Sequence, residues 1–388
     1  MSLQVCAIDT ALHRRFLLET AAAEGGRRVS FLQSPAWGRV KTAWRPESLG
    51  WFSESELVGT ALVLYRDLPA LPLLGRRSLA YIPEGPTVDW FGSGRDVAAW
   101  IRPLIAYLRA HGVFSVKLGP KVVARRWDAA SVKAGMADAA YTLFADLPAD
   151  DAAGADVEPD AGRLIAELEA LGWRRQCSSG QGIADVQPRH FIEIPLRGRT
   201  PDDVFAGFNT QWRRNVRLAE RAGVKVWQTS IDDLPTFHAM YLETAERDRF
   251  APRPLPYFQR MFRELLAVDP DGLRLYLAGA DGIPSAAATM VRFGRRAWFG
   301  YGAGTTSRRE LRAANALQWQ MIQDCLDDGL DSYDLRGVGE TLAQNHPLFG
   351  LLRFKIGTGG DVVEYPGEYD LALNRPLALA LRIYLRRR

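Results

Sequence analysis

The order of elements in this sequence is written twice. In the first half "LVGTALVLY" is followed by "RSLAYIPEGP", then "RDVAAWIRPLIAYLRAHG", then "VFSVKLGP". In the second half "IPSAAATMVRF" is followed by "RAWFGYGAGT", then "RRELRAANALQWQMIQDCLDDG", then "LDSYDLRG". Each series reads strand, strand, a loop with glycine or proline, a long helix, a glycine stop and a strand. One helix carries Val97, Ile101, Leu104 and Leu108 at helical spacing; the other carries Leu311, Ala314, Leu317, Met321 and Cys325. Gly112 and Gly329 stand where a chain leaving a helix takes the left-handed conformation. An earlier helix precedes each series, near "SPAWGRVKTAW" and near "LPTFHAMYLETAERD". The repeat restricts the chain to a pair of similar α/β halves. Its 388 residues suffice for two domains, since a domain usually takes about 100–200 residues.

The halves are expected to part near Gln187, with 188–360 as the second domain. Residues 361–388 are expected to return to the first, 1–187, because the second series is complete by then. Ala145 to Ala161, "ADLPADDAAGADVEPDA", is acidic, alanine-rich and broken by proline, so it reads as a loop or linker. A short helix pattern, "LIAELEALGW", and an alternating strand, "HFIEIPL", follow it.

Several function classes drop out at this point. Cys6, Cys177 and Cys325 are far apart and form no C-x-x-C, so free thiols in a reducing compartment are expected. Cys177 has no activating base in its surroundings and reads as a bystander rather than a nucleophile. The five histidines form no H-x-x-x-H, so no metal site is expected. The N-terminus lacks the apolar core of a signal peptide, and no run of 18 apolar residues occurs, which points to a cytoplasmic protein. A net charge of +4 suits an anionic partner without requiring one.

The order of elements resembles the acetyltransferase-like (GNAT) fold used twice: an α/β protein of two tandem domains, each a mixed sheet flanked by helices. Single acetyltransferases cradle coenzyme A with Q/R-x-x-G-x-G/A before the long helix. The stretches here, "DWFGSGRD" and "TSRRELRAA", do not keep that pattern, so a different acyl donor is expected. Five further stretches fall in one order: "QSPAWGRVK", "YIPEGPTVDW", "QWRRNVRLAERAGV", "ANALQWQMI" and "HPLFGLLRFKIGTGGDVVEYPGEYDL". Together they resemble the FemABX family, aminoacyltransferases that extend the peptide of peptidoglycan precursors. The chain is similar to the compact type, since Trp227 to Leu273 has no heptads for a helical arm. The resemblance implies aminoacyl-tRNA as co-substrate and no other cofactor. It implies an acceptor amine on a muropeptide precursor whose diphosphate is joined to a lipid or a nucleotide. The chain is expected to act as a monomer. The apolar-then-basic tail "PLALALRIYLRRR" reads as a docked C-terminal helix or as a peripheral membrane contact at the inner face of the cell membrane. Two other readings stay open: an acceptor that is a natural-product peptide, and a non-catalytic RNA-binding protein of the same fold.

Arg213 and Arg217 lie at i and i+4 of "TQWRRNVRLAERAGVKV" and so share a helix face. On the residues alone that is a solvated basic face; the resemblance implies a grip on the diphosphate. It likewise places Lys41 near the diphosphate and Lys355 at the reacting ester, as the catalytic group. In "LLRFKI", read as a strand, Arg353 and Lys355 share one face and Phe354 takes the other. Arg353 and Phe354 are expected to contact substrate there, against the plainer reading of a charged edge strand. Tyr301, in "FGYGAG", sits among small residues that leave room for a ligand; Tyr81 reads as core packing, and Glu84 and Asp89 as loop acids.

Overall fold

The structure is a computed structural model that describes residues 3–23, 29–68, 77–92, 94, 96–148, 159–175 and 187–386, the last six by their backbone. The first series supplies β1 (Leu3–Ala7), α1 (Thr10–Ala22), α2 (Pro35–Val40), β2 (Arg45–Ser53), β3 (Glu56–Asp67), β4 (Ser78–Ile82), β5 (Thr87–Val88), α3 (Val97–Ala110) and β6 (Val113–Leu118). Then come β7 (Arg125–Trp127), α4 (Ala129–Ala137), α5 (Ala161–Ala170) and β8 (Arg174–Arg175). The second series begins with β9 (His190–Pro195), α6 (Pro201–Gly207), α7 (Thr210–Arg221), β10 (Lys225–Thr229), α8 (Leu234–Asp248) and α9 (Leu255–Leu266). It continues through β11 (Leu273–Ala280), β12 (Ile283–Phe293), β13 (Arg296–Gly304), α10 (Ala313–Asp327), β14 (Ser332–Val338) and α11 (Phe349–Ile356). The chain closes with β15 (Asp361–Glu364), β16 (Tyr369–Ala372) and α12 (Arg375–Arg386).

Two compact units result. The first holds Met1–Ala124, Gly154–Arg189 and Glu364–Arg388; the second holds Arg125–Ala153 and His190–Val363. The first sheet has the order β1-β2-β3-β4-β6-β16-β8, with β5 beside β3. The second has the order β10-β11-β12-β13-β14-β9-β15-β7. The repeat is visible in both. Strands β4 and β6 run parallel and are joined by α3; β13 and β14 run parallel and are joined by α10. Parallel neighbours need such a crossover, and a helix is the usual one. Gly112 and Gly329, just past the ends of α3 and α10, have φ of 76° and 65°.

The long helices fill the cores that their spacing predicts. Trp100, Ile101, Leu104 and Leu108 of α3 pack with Leu49, Trp51, Ala61 and Val63 of β2 and β3. The Trp51 indole N–H also donates to the carbonyl of Trp100 at 2.9 Å. In the second unit Leu317, Met321, Ile322 and Cys325 of α10 pack with Ala288 and Met290 of β12 and Tyr333 of β14. Burying a side chain of leucine size contributes about 1.5–3 kcal/mol.

Residues 125–148 fall in the first domain on the sequence boundaries, but they pack in the second unit. The cause is local. Strand β7 adds itself to the end of the second sheet, and Trp127, Val132, Phe144 and Leu147 enter the second core. Buried Arg126 bonds Asp361 at 2.8 Å and lies 3.8 Å from Glu193, which in turn holds Arg296 at 2.7 Å. The return to the first sheet also comes later than Gly360: β15 stays in the second sheet, and β16 is the strand that crosses back. Helix α12 begins with Asn374 capping Leu377 N–H at 3.2 Å, and its Ala378 is buried. Cys177 lies outside the described residues.

Candidate functional site

The pairing of β13 with β14 covers Arg296 to Trp298 against Ser332 to Asp334 and ends there. Where the two strands part, the second unit holds a cavity of about 410 Å³. Small residues make the room: Ala286, Ala287 and Ala288 of β12 and Gly302, Ala303 and Gly304 of β13 line it. Helix α10 forms another wall with Asn315, Leu317 and Gln318, and Phe299 and Phe354 add aromatic surface.

Arg247, Arg308, Arg309 and Arg312 line the same cavity, and among the described residues no Asp or Glu does. Two of the four are engaged. Arg247 donates to the Gly304 carbonyl at 3.0 Å and pairs with Asp248; Arg308 donates to the Ala280 carbonyl at 3.1 Å. Arg309 and Arg312 are exposed, with no carboxylate in ion-pair range among the described residues. Arg312 takes a left-handed conformation, φ 56°, to start α10, and no side chain of the described residues caps that helix. Its first N–H groups and the positive end of its dipole therefore meet the cavity. The chemistry on offer is that of a polyanion site at a helix N-terminus.

The equivalent place in the first unit is filled. Asp96 caps α3 by accepting from Ala99 N–H at 2.8 Å, and Glu167 of α5 accepts from Val97 N–H at 2.9 Å. The chain's own carboxylates occupy the anion position there. The repeat thus carries one open and one closed version of the same device.

The quoted stretch around Lys355 is a helix, α11, and not the strand expected from its alternation. On a helix, residues two apart point to nearly opposite sides. Arg353 accordingly is exposed, whereas Lys355 is buried. Phe354 alone of the three lines the cavity. The Lys355 ammonium donates to the carbonyls of Gly337 at 2.8 Å and Arg336 at 3.3 Å. Those carbonyls belong to a bulge in β14, where the register against β9 shifts between Asp334 and Gly337 and Arg336 has φ 64°. Burial pushes the Lys355 amine down to about 7, with Asp334 opposing and Arg336 assisting. Helix α11 is pinned by α7: the Trp212 indole donates to the Phe354 carbonyl at 2.7 Å, and the two rings lie 4.8 Å apart.

Arg213, on the first turn of α7, donates to the carbonyls of Ala206 and Phe208 at 2.8 and 2.5 Å and so ties down the end of α6. Arg217 is exposed, with its guanidinium 5.6 Å from the Phe205 ring. Tyr301 is outside the cavity lining; its hydroxyl meets that of Tyr257 at 3.0 Å in a cluster with Tyr241 and Phe258. The space that "FGYGAG" promises opens instead beside Phe299 and Gly302. Lys41, in the first unit, ends α2 with its ammonium 4.3 Å above the Trp37 ring.

Sequence reasoning passed over Asn215, Asn315, Arg309, Arg312 and Lys133. The arginines of "TSRRELRAA" were the available signal, since a glycine-free loop before a long helix can still bind phosphate through guanidinium groups. Lys133 of α4 had none. Half-buried, it has its pKa lowered by burial and by the charge of Arg213, while Asp128 raises it.

Comparison with known proteins follows the same outline. The model of the FemAB family matches residues 25–265 and 274–385. The lipid II:glycine glycyltransferase of Staphylococcus saprophyticus is 23% identical over 412 residues, covering 89% of this chain and 89% of its own. The crystal structure of FemX superposes with a TM-score of 0.75 at 20% identity, over 97% of this chain and 99% of its own. A tandem GNAT protein from the clavulanic acid biosynthesis pathway gives a TM-score of 0.51 at 14% identity, over 96% of this chain and 98% of its own. The fold is therefore the paired acetyltransferase-like architecture that the repeat predicts.

Proposed function

The chain belongs to the FemAB family and is an acyltransferase, and from that premise we propose that it moves an amino acid from aminoacyl-tRNA to a peptide amine of a peptidoglycan precursor. The observation that carries the donor half is the cavity of the second unit, basic at its mouth and lined inside by alanines, amides and aromatic rings. The 3′ end of an aminoacyl-tRNA has a matching order of chemistry. Phosphates come first and meet Arg309, Arg312 and the start of α10. The ribose and its ester come last and enter the less charged interior beside Phe354. Arg353, exposed on α11, adds a contact to the RNA backbone.

The acceptor half rests on the relatives, whose named activity is glycine transfer to lipid II. In this reading Lys41 of the first unit binds the precursor's diphosphate. Within the second unit Arg213, Arg217 and Lys133 form a basic surface suited to phosphate groups. The precursor amine attacks the ester carbonyl carbon. A C–N bond forms, the bond from that carbon to the ribose oxygen breaks, and the amine's proton ends on the ribose hydroxyl. The ester is already activated, so holding the two reactants together supplies much of the rate. For Lys355 to steady the oxyanion that develops on the carbonyl oxygen, its ammonium has to leave the Gly337 and Arg336 carbonyls and turn toward the cavity, whose lining it does not join at rest. Tyr301 holds β13 in place through its hydroxyl bond to Tyr257.

The test offers the protein a mixture of charged tRNAs with UDP-linked and lipid-linked muropeptides and follows the muropeptide by mass spectrometry. A mass gain of one amino acid that is lost on ribonuclease treatment is expected. A muropeptide of unchanged mass with every charged tRNA would refute the proposal.

A further inference from the structure

One polar group inside the cavity is left over. Asn315, the third residue of α10, is 5% exposed and lines the cavity, and its Nδ2 has no hydrogen-bond partner among the described residues. Its other amide atom is occupied. Asn215 Nδ2 donates to Asn315 Oδ1 at 3.3 Å, and Asn215 Oδ1 accepts from Gln211 Nε2 at 2.8 Å. The three amides run in one direction. Once Gln211 donates to Asn215, Asn215 has its N–H side left to give, and Asn315 answers with oxygen. The Asn315 N–H groups are then turned to what remains, the cavity. Gln318, one turn on, is used differently: its Oε1 accepts from the buried Tyr333 hydroxyl at 2.9 Å.

A buried donor without an acceptor is costly to keep, and a specific one calls for a partner that the chain itself does not supply. We propose that Asn315 Nδ2 recognises the reactive end of the acyl donor by donating to a neutral oxygen, either the ester carbonyl or the neighbouring ribose hydroxyl. Gln211 and Asn215 are positioning residues that fix which way the Asn315 amide faces. The inference rests on reading the cavity as the donor site. It assigns specificity to a different group from the arginines: they meet phosphate charge at the mouth, while Asn315 reads an uncharged oxygen further in.

The test uses an RNA hairpin with a single-stranded 3′ tail in two forms. One has a bare 3′ end; the other carries glycine, the smallest aminoacyl group, through a non-hydrolysable amide. Binding to the full chain is measured by fluorescence anisotropy at one fixed salt concentration. Asn315→Leu keeps the branched shape without polar atoms, and Asn315→Asp keeps the oxygen that Asn215 needs. Asn315→Leu should bind about tenfold more weakly, the loss expected for one hydrogen bond, and Asn315→Asp, which also adds a negative charge, at least as weakly. The melting temperature of Asn315→Leu should not fall in parallel, which separates recognition from a structural role. Loss on the glycyl form alone identifies the carbonyl as the acceptor; equal loss on both forms identifies the ribose hydroxyl. Wild-type affinity in a folded Asn315 variant, with Arg312→Ala still weakened, overturns the inference and leaves the donor site standing. Failure of the wild-type protein to bind either RNA overturns both.

Discussion

Lys355 and Phe354 are adjacent in sequence, yet one faces a cavity and the other is folded into a sheet bulge. The lysine's peculiarity was legible from its apolar neighbours; its helix was not. Leu352, Lys355 and Ile356 are the buried positions of α11, and their i, i+3, i+4 spacing is helical. A cation standing in that stripe hid the helical period and left the alternation of "LRFKI" in view. The charged form of Lys355 is the one that can steady an oxyanion, and its pKa is about 7. Turnover that depends on it should fall as pH rises above about 7. Lys355→Met should lose roughly 10²–10³-fold in kcat and show no such fall, while KM for the muropeptide changes little; steady-state kinetics from pH 6 to 9 checks this. Stability has the opposite sign. Between about 7 and the ordinary 10.5 the unfolded chain binds more protons at this site, so the wild-type protein gains stability as pH rises through that window. Lys355→Met should flatten that rise in chemical denaturation. Unchanged turnover in a folded Lys355→Met protein would reduce the residue to a peg for the β14 bulge.

Helices α3 and α10 are the elements that the sequence announced best, because long amphipathic stripes with glycine stops are strong signals. What separates them was harder to read. The Asp96 cap sits inside "SGRDV", but Glu167 comes from a helix seventy residues further on and no spacing rule points to it. The open site of α10 draws on β12, β13 and α7 as well as on its own loop, so its residues are scattered through the second half of the chain. The difference between the two helix starts has a measurable consequence. Arg309→Ala and Arg312→Ala should each weaken binding of a hairpin RNA and lower the slope of log affinity against log salt by about 1. Binding titrations over a series of salt concentrations report that slope. An unchanged slope in the double variant would place the RNA elsewhere.

For the whole molecule the repeat gave two halves, but the path between them was hidden by short strands. Strand β7 has three residues and β16 has four, too few for a periodic signal, and both join a sheet far from their neighbours in sequence. The chain therefore passes between the units after 124, between 148 and 159, after 189 and after 363. Strand β16 lies between β6 and β8, so a stop codon after Gly367 should leave the first sheet divided, whereas a stop after Asn374 should keep it whole. Hydrogen exchange of the β6 amides tells the two apart; equal protection in both would mean that β16 is dispensable. The same placement bears on how the protein is made. A ribosome delivers the first unit's early strands long before it delivers β16, an interval on the order of ten seconds or more at ordinary elongation rates. Until then β6 and β8 carry unsatisfied edges; the second sheet likewise waits for β15, between β9 and β7, which is made just before β16. The half begun first is the half finished last, and its open seam is the surface that a nascent-chain chaperone would have to cover.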